Sequence, residues 1–206
     1  SQNPIRATSF LELDKDYQLI SIYKDRPLDA VRVTAAHEYF HSVQFGMDVT
    51  ETEYNTREEF AARYWMEISA VWMEDQIYDN INDYLYYLPF YYNDPRNSIQ
   101  QFRNFFDPHP YASAVFAMFL SQKYGQEIVR DIWERCAEMG AGPHFLSATH
   151  LAIDSISIGT ENWASAFAEF GVWNFFTGER ATLAPPGYGY EERLFFPAFP
   201  DSMKIT

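Results

Sequence analysis

Residues 27–46 read PLDAVRVTAAHEYFHSVQFG. Apolar side chains recur in this stretch at three- and four-residue intervals, which is typical of an amphipathic α-helix. The recurring positions are Leu28, Val31, Ala35, Tyr39 and Val43. Pro27 suits the first turn of a helix, and Gly46 stands where a left-handed cap would close the last turn. The pattern predicts one helix over these residues, with the apolar stripe facing the core.

The same helix carries a His-Glu-x-x-His motif, formed by His37, Glu38 and His41. Residues four positions apart lie one turn apart on one helix face, so both imidazoles can reach one metal ion while Glu38 projects beside them. A second stripe through Val33, His37, His41 and Gln44 runs beside the apolar one, which predicts imidazoles that point into a cleft or the core. The motif indicates two zinc ligands and a general base. Two packed histidines bonded to backbone carbonyls are the alternative.

A third ligand is expected on another segment, because catalytic zinc sites usually have three protein ligands and leave the fourth position to water. Thr56 and Glu59 have the form of a capping box and predict the start of a second helix. This helix is apolar nearly all round, yet Glu67 and Glu74 interrupt it on one face. An unpaired buried carboxylate is costly, and a bound zinc would satisfy Glu67. A narrow solvated strip that carries both glutamates is the alternative.

The phrases AAHEYFHSVQFG and WMEISAVWMED resemble the gluzincin superfamily, the thermolysin-like and aminopeptidase N-like zinc peptidases. In that superfamily the His-Glu-x-x-His helix is followed by a second helix that bears a glutamate ligand. Within it, the two phrases are most similar to a little-characterised bacterial branch of secreted metalloproteases. The resemblance implies zinc ligation by His37, His41 and Glu67, with Glu38 as the catalytic base, and it implies an extracellular location.

The resemblance continues at residues 110–116, where PYASAVF is similar to a P-Y-x-x-G segment of the aminopeptidase-like enzymes. Their tyrosine stabilises the oxyanion of the tetrahedral intermediate, and the resemblance gives that role to Tyr111. Ala114 stands in place of their glycine. His109 is a rival donor, because an imidazolium in this proline-rich turn could donate to the same developing charge. An ordinary packing role is the alternative for Tyr111.

Two departures from the superfamily concern the ligand helix. The separation of His41 from Glu67 is longer than the usual gap, and an inserted loop would explain it, since the entropy of loop closure grows only logarithmically with length. Val71 stands where thermolysin-like enzymes have an aspartate that supports a ligating histidine. We expect Glu74, one turn later, to orient a histidine in its place. Direct ligation by Glu74 is the alternative.

Zinc-dependent hydrolysis of peptide bonds is the chemistry that these residues predict. Zinc held by two imidazoles and a carboxylate polarises a carbonyl and lowers the pKa of its water to about 7. Glu38 would move the water proton to the leaving amine, and Tyr111 with zinc would stabilise the oxyanion. Endopeptidase activity is favoured, because the aminopeptidase motif for a free substrate N-terminus is not found. The alternatives are a gluzincin-like binding module with a structural or inactive metal site, and an inert helical interaction protein with an accidental motif.

Composition limits the possible partners. The chain has 206 residues, is 47% hydrophobic and carries a net charge of −14. Such acidity argues against nucleic-acid binding, which needs a basic face. No apolar run reaches the roughly 18 residues of a membrane span. A peptide or protein substrate is therefore the expected partner, and Zn²⁺ the expected cofactor.

The predicted fold class is mainly α (α+β), a helical zinc-peptidase catalytic domain over residues 1–206. It would comprise a short β region (1–26), the two site helices (27–79), and a helical lower lobe with an irregular tail (80–206). SFLELDKD and YQLISIYKD, within residues 9–25, show partial alternation and predict two short strands or a hairpin, a remnant of the larger gluzincin sheet. The aromatic stretch 83–94 is expected to join the core, with an apolar substrate subsite as the alternative.

Overall fold

The computed structural model describes residues 6–17, 20–52, 63–101, 103 and 107–199. Within these residues it is mainly helical and contains no strand, which confirms the predicted mainly α class. The α-helices are α1 (Pro27–Asp48), α2 (Arg63–Ile77), α3 (Leu88–Tyr92), α4 (His109–Ala112), α5 (Val115–Tyr124), α6 (Glu127–Met139), α7 (Phe145–Ile156) and α8 (Trp163–Phe175). Short 3₁₀ helices cover Ser21–Tyr23, Val49–Thr52, Asp83–Tyr86 and Gly178–Leu183. The capping box predicted at Thr56 and Glu59 lies outside the described residues.

The predicted N-terminal hairpin is wrong for the part of residues 9–25 that the structure describes. Ser21–Tyr23 is a 3₁₀ helix, and residues 6–14 have no regular secondary structure. This segment packs against α1 instead of pairing with another strand. Tyr17 and Tyr23 meet edge to face at 6.0 Å and form a small cluster with Ala30 and Val33 of α1. An isolated two-stranded hairpin is only marginally stable in water. Burial of these rings against α1 stabilises the segment in a different conformation.

Helix α1 forms where the sequence predicts it, but its apolar stripe does not face the core as expected. Two residues of the expected apolar stripe, Leu28 and Tyr39, are 59% and 62% exposed, and Val31 is only half-buried. The stripe of Val33, His37 and Gln44 is buried, which confirms the prediction that this stripe points into the core. Apolar periodicity missed this because the polar side chains of the buried face are hydrogen-bonded to α2, which offsets the cost of their burial.

The predicted helix end at Gly46 is also wrong. Helix α1 continues to Asp48, and Gly46 does not adopt a positive φ. The Asp48 carboxylate accepts the backbone N–H of Thr50 at 2.9 Å. A side-chain acceptor placed after the glycine therefore turns the chain into the 3₁₀ helix Val49–Thr52.

Helix α2 is the centre of the main hydrophobic core. Its residue Trp65 is fully buried, stacks on Phe145 of α7 at 4.3 Å between ring centroids, and lies 6.4 Å from the Trp133 ring of α6. Helix α1 packs along one side of α2, and the short helix α4 packs nearby on the same helix. These contacts confirm that α2 is buried nearly all round. They also hold α1 and α4 in place around one part of α2.

The aromatic stretch 83–94 divides between core and surface. Tyr84, Leu88 and Tyr92 are buried, whereas Tyr86 and Phe90 are 51% and 47% exposed. Tyr87 is half-buried, and its ring contacts the ring of Tyr111. Part of the stretch therefore joins the core, and another part reaches the surface beside α4. Of the helices that the structure describes, none is long and apolar enough to cross a membrane.

Candidate metal centre

Helices α1 and α2 run antiparallel where they meet. His37 is hydrogen-bonded to Glu74, His41 faces Glu67, and Gln44 is hydrogen-bonded to the carbonyl of Met66. Residues later in α1 therefore contact residues earlier in α2. The packing of two regular helices thus brings residues that are distant in sequence to one place. No loop has to position them.

Three side chains converge between the helices. The Nε2 atom of His37 lies 3.2 Å from Oε2 of Glu67, and Nε2 of His41 lies 3.6 Å from the same oxygen. One ligand atom from each of the three residues lies within 4.8 Å of the other two, so this group could hold a metal ion. Its side chains are 8–13% exposed. The structure therefore brings together the three residues that the sequence nominates as ligands.

The opposite nitrogen of each ring is also engaged. Nδ1 of His37 donates to Oε1 of Glu74 at 2.6 Å, and Nδ1 of His41 donates to Oε1 of Gln44 at 2.7 Å. Metal-ligating histidines generally bond their second nitrogen to a carboxylate or carbonyl, which fixes the tautomer and leaves the other nitrogen free to ligate. Both rings thus present Nε2 to Glu67. Glu74 is buried behind His37, as expected for an orienting residue, and neither glutamate lies on a solvated strip.

Gln44 is a site residue to which sequence reasoning gave no role. Its Nε2 donates to the carbonyl of Met66 and to Oγ of Ser69, both at 3.0 Å. Ser69 in turn accepts the indole N–H of Trp133 at 3.2 Å. The orientation of His41 is therefore tied through Gln44 to α2 and α6. Its position three residues after His41 could have indicated a contact with that imidazole, but a glutamine at that spacing is common in helices without such a role.

The electrostatics of the group favour a positive charge between the helices. Burial opposes a charge on His37, but hydrogen bonds to Glu67 and Glu74 outweigh it and raise the pKa of His37 to about 10. Burial also opposes the Glu67 carboxylate, yet His37 and His41 hold its pKa well below the usual range. For Glu74 burial is the largest effect, and it raises the pKa of that carboxyl. Two acids and two imidazoles that are largely buried suit a cation, and imidazole with carboxylate is a donor set that fits zinc.

Tyr111 lies beside the group, and Glu38 is the next residue after His37 on α1. The Glu38 side chain is half-buried. The Tyr111 ring, carried by α4, stacks on the His37 ring at 5.8 Å between centroids and 12° between planes. Burial raises the pKa of Tyr111, and the charge of Glu67 raises it further. The phenol therefore stays protonated at neutral pH and can donate a hydrogen bond.

His109, the rival donor, is engaged elsewhere. Its Nε2 donates to the carbonyl of Ser98 at 2.9 Å, its backbone N–H donates to Asp107 at 3.0 Å, and the residue is 3% exposed. These contacts make His109 a part of the turn that positions α4. Tyr111 is the residue of this turn that contacts His37, and Tyr87, missed by sequence reasoning as a site residue, supports its ring at 5.2 Å.

Comparisons with known proteins give one match. The family model described as a family of unknown function, DUF6055, matches residues 14–149. No curated protein matches the chain, and no solved structure does. The matched residues include α1, α2 and α4, and so every side chain of the candidate metal centre. Since the match covers more than half of its length, the chain belongs to the DUF6055 family.

Proposed function

We propose that this protein is a zinc-dependent peptidase of the gluzincin kind, with endopeptidase activity. One observation carries the proposal. Both imidazoles are anchored through Nδ1, and both present Nε2 to the same oxygen of Glu67. Such anchoring is characteristic of histidines that bind a metal.

Each side chain of the candidate metal centre would have a distinct role in the reaction. His37, His41 and Glu67 would hold Zn²⁺, which when bound supplies a Lewis acid for the substrate carbonyl and an acidified water. Glu38 would accept a proton from the attacking water and deliver it to the leaving amine. Tyr111 would donate its phenolic hydrogen to the developing oxyanion. Glu74 and Gln44 would keep the two imidazoles in place.

The number of ligands favours an enzyme over a binding module with a structural metal. A structural zinc site is normally closed by a fourth protein ligand, whereas a catalytic site keeps one position open. Among the described residues the group that could hold a metal has three members. Their carboxylate and imidazole donors are also those of hydrolytic zinc sites rather than cysteine-rich structural ones.

Metal analysis combined with a cleavage assay tests the proposal. We expect about one equivalent of zinc to remain after extensive dialysis, and we expect cleavage of a mixed peptide library that a chelator abolishes and added zinc restores. Zinc retention without any cleavage would instead favour the structural or inactive module. Absence of bound metal would refute both.

The identity of the carboxylate ligand is tested by a pair of variants. Glu74→Ala removes an orienting partner and should weaken zinc binding by about 10- to 100-fold. Glu67→Ala removes a ligand and should weaken it considerably more. Competition with a chromophoric chelator measures both affinities, and the reverse ranking would make Glu74 the ligand.

A further inference from the structure

The N-terminal segment, residues 7–14, lies along helix α1. The backbone N–H of Ala7 donates to the carbonyl of Phe45 at 2.9 Å, and Oγ of Ser9 donates to Oγ of Ser42 at 2.8 Å. Residues later in the segment thus meet residues earlier in α1, so the segment runs antiparallel to the helix. These two hydrogen bonds are its first attachment.

The second attachment of the segment is near the beginning of α1. The Asp14 carboxylate accepts the backbone N–H of Tyr17 at 3.2 Å and so forms a turn. The Tyr17 ring belongs to the small apolar cluster at this end of α1, and Val31 packs against the same cluster. The residues between the two attachments therefore follow α1 from Ser42 toward Val31.

Glu38, the proposed general base, lies on the face of α1 that the segment follows. It is seven positions after Val31 and four before Ser42, which is the spacing of one helix face. Oγ of Ser42 also donates to the carbonyl of Glu38 at 3.4 Å. Val31 and Ser42 are about 16 Å apart along the helix axis, whereas the chain from Ser9 to Tyr17 can span up to about 28 Å. The segment is therefore long enough to move relative to Glu38 while both attachments hold.

Between its attachments the segment exposes large apolar side chains. Phe10 is 81% exposed, and Leu11 and Leu13 are each 42% exposed. The structure shows no hydrogen bond between residues 10–13 and the rest of the described chain. Three such side chains within four positions form more than a scattered surface residue and indicate a binding surface. Because they stand on the side of α1 that carries Glu38, a peptide bound at the candidate metal centre is the ligand that they would meet.

We propose, on the basis of the proposed peptidase function, that residues 10–13 form a strap that closes over a bound peptide. Phe10, Leu11 and Leu13 pack on the peptide, and the closed strap excludes bulk water from the surroundings of Glu38. Such exclusion strengthens the electrostatic interactions of an active site. Segments that close over ligands have few stabilising contacts of their own, and residues 10–13 meet that condition.

Hydrogen exchange of the zinc-loaded full chain tests the closure without turnover. Two ligands are compared: acetohydroxamate, which is small enough to bind at the metal alone, and a tripeptidyl hydroxamate, which extends beyond it. The tripeptidyl hydroxamate should slow the exchange of backbone amides 10–13 by about 10-fold or more. Acetohydroxamate should leave that exchange unchanged. Mass spectrometry at short labelling times measures both rates.

A double variant, Phe10→Ser with Leu13→Ser, tests the role of the apolar side chains. Both side chains are exposed, so their loss should leave the fold and the zinc content unchanged. In calorimetric titration the variant should bind the tripeptidyl hydroxamate about 10-fold or more weakly, because two apolar side chains no longer cover the ligand. It should bind acetohydroxamate as tightly as the parent does. Leu183→Ser, which changes a residue that is 68% exposed in the 3₁₀ helix Gly178–Leu183, is the matched control and should bind both ligands like the parent.

The outcomes separate the inference from the function on which it rests. If the tripeptidyl hydroxamate binds without slowing exchange at residues 10–13, or binds the double variant as tightly as the parent, the inference is wrong and the metal site remains. If the double variant instead dissociates a dimer of the ligand-free protein in analytical ultracentrifugation, the apolar side chains bind a second copy and the inference is also wrong. If neither hydroxamate binds to the zinc-loaded protein, the proposed function fails, and the inference fails with it.

Discussion

Gln44 determines which nitrogen of His41 faces Glu67. The carbonyl of Met66 can only accept a hydrogen bond, so the Gln44 amide must turn its NH₂ group toward it. The Gln44 oxygen then faces His41, and an oxygen can only accept from Nδ1–H. A neutral His41 therefore has an unprotonated Nε2 directed at Glu67. A buried amide in α1 thus orients the ring as the proposed metal binding requires.

Gln44→Leu should weaken zinc binding although all three ligands remain. The substitution keeps a buried side chain of similar size but removes the acceptor that selects the His41 tautomer. Loss of such a partner typically costs 10- to 100-fold in metal affinity, and we expect about that loss here. Ser42→Ala is the matched control, because Ser42 lies on the same helix but bonds to Ser9. Equal zinc affinities of Gln44→Leu and the parent, measured by chelator competition, would show that the amide has no such role.

Glu38→Gln should separate metal binding from chemistry. Glutamine keeps the size of the side chain but cannot accept and release the proton, and loss of a general base typically costs about 10²- to 10⁴-fold in rate. The zinc content should stay equal to that of the parent, since Glu38 lies outside the ligand group. Steady-state cleavage and metal analysis on the same preparation check both statements. Cleavage at the parental rate would exclude Glu38 as the base.

Helix α1 shows which parts of an element can be predicted from the sequence. Its start at Pro27 and the presence of both histidines on one face follow from local spacing, and the structure has both. Local spacing does not predict which apolar residues of α1 are exposed, or that the helix ends at Asp48. These features depend on partners in α2 and on a carboxylate after Gly46. Long-range hydrogen bonds thus override the apolar periodicity, whereas the stripe that carries the histidines was correctly predicted to point inward. For the described part of residues 9–25, the predicted hairpin was wrong for a similar reason, since packing on α1 supplies the burial that a β ribbon would have needed.

Helix α7 is capped by a residue from a distant segment. The α7 N-cap residue, His144, provides no side-chain cap. The carboxylate of Glu51, which is fully buried after α1, accepts the backbone N–H of His144 at 2.5 Å. An acid at a helix N-terminus satisfies a free donor and interacts favourably with the helix dipole. Sequence rules for helix ends search neighbouring residues, so a cap supplied across the fold is invisible to them.

The burial of Glu51 should make the stability of the fold depend on pH. Burial raises the pKa of Glu51 from 4.5 to about 7. Between these values the folded protein holds a proton that the unfolded chain has lost, so stability falls as the pH rises from about 4.5 to about 7. The shift corresponds to at most about 3–4 kcal/mol, at about 1.4 kcal/mol for each pKa unit. Denaturant unfolding of the zinc-saturated protein at several pH values measures the slope.

Glu51→Gln isolates this contribution. Glutamine can still accept the His144 N–H but does not titrate, so the variant should lose less stability than the parent over the same pH range. Glu138→Gln, an exposed position on α6, should leave the slope unchanged. Identical slopes for Glu51→Gln and the parent would mean that Glu51 has an ordinary pKa in the folded state.

For the molecule as a whole, the clustering of the three candidate ligands was easier to predict than the packing around them. A motif of five residues on one helix, and a glutamate in an otherwise apolar helix, already nominated His37, His41 and Glu67. The space in which they meet depends on contacts across the chain, such as the stacking of Tyr111 on His37 and the hydrogen bond that Trp133 donates to Ser69. Burial and hydrogen bonding between distant segments decide these contacts, and no local pattern encodes them.

Removal of the metal should therefore lower the stability of the entire fold. A metal held by α1 and α2 links two helices that pack against each other, and α2 is also the centre of the main core. Zinc at 100 times its dissociation constant adds about 2.7 kcal/mol to the folded state. In a protein of this size about 1 kcal/mol shifts Tm by 2–4 °C, so a chelator should lower Tm by about 5–10 °C in a single transition. Calorimetry with and without chelator measures the shift, and His41→Ala, which lacks a ligand, should show little of it. An equal shift in His41→Ala would place the stabilising ion elsewhere in the protein, because a metal bound between the two helices requires that imidazole.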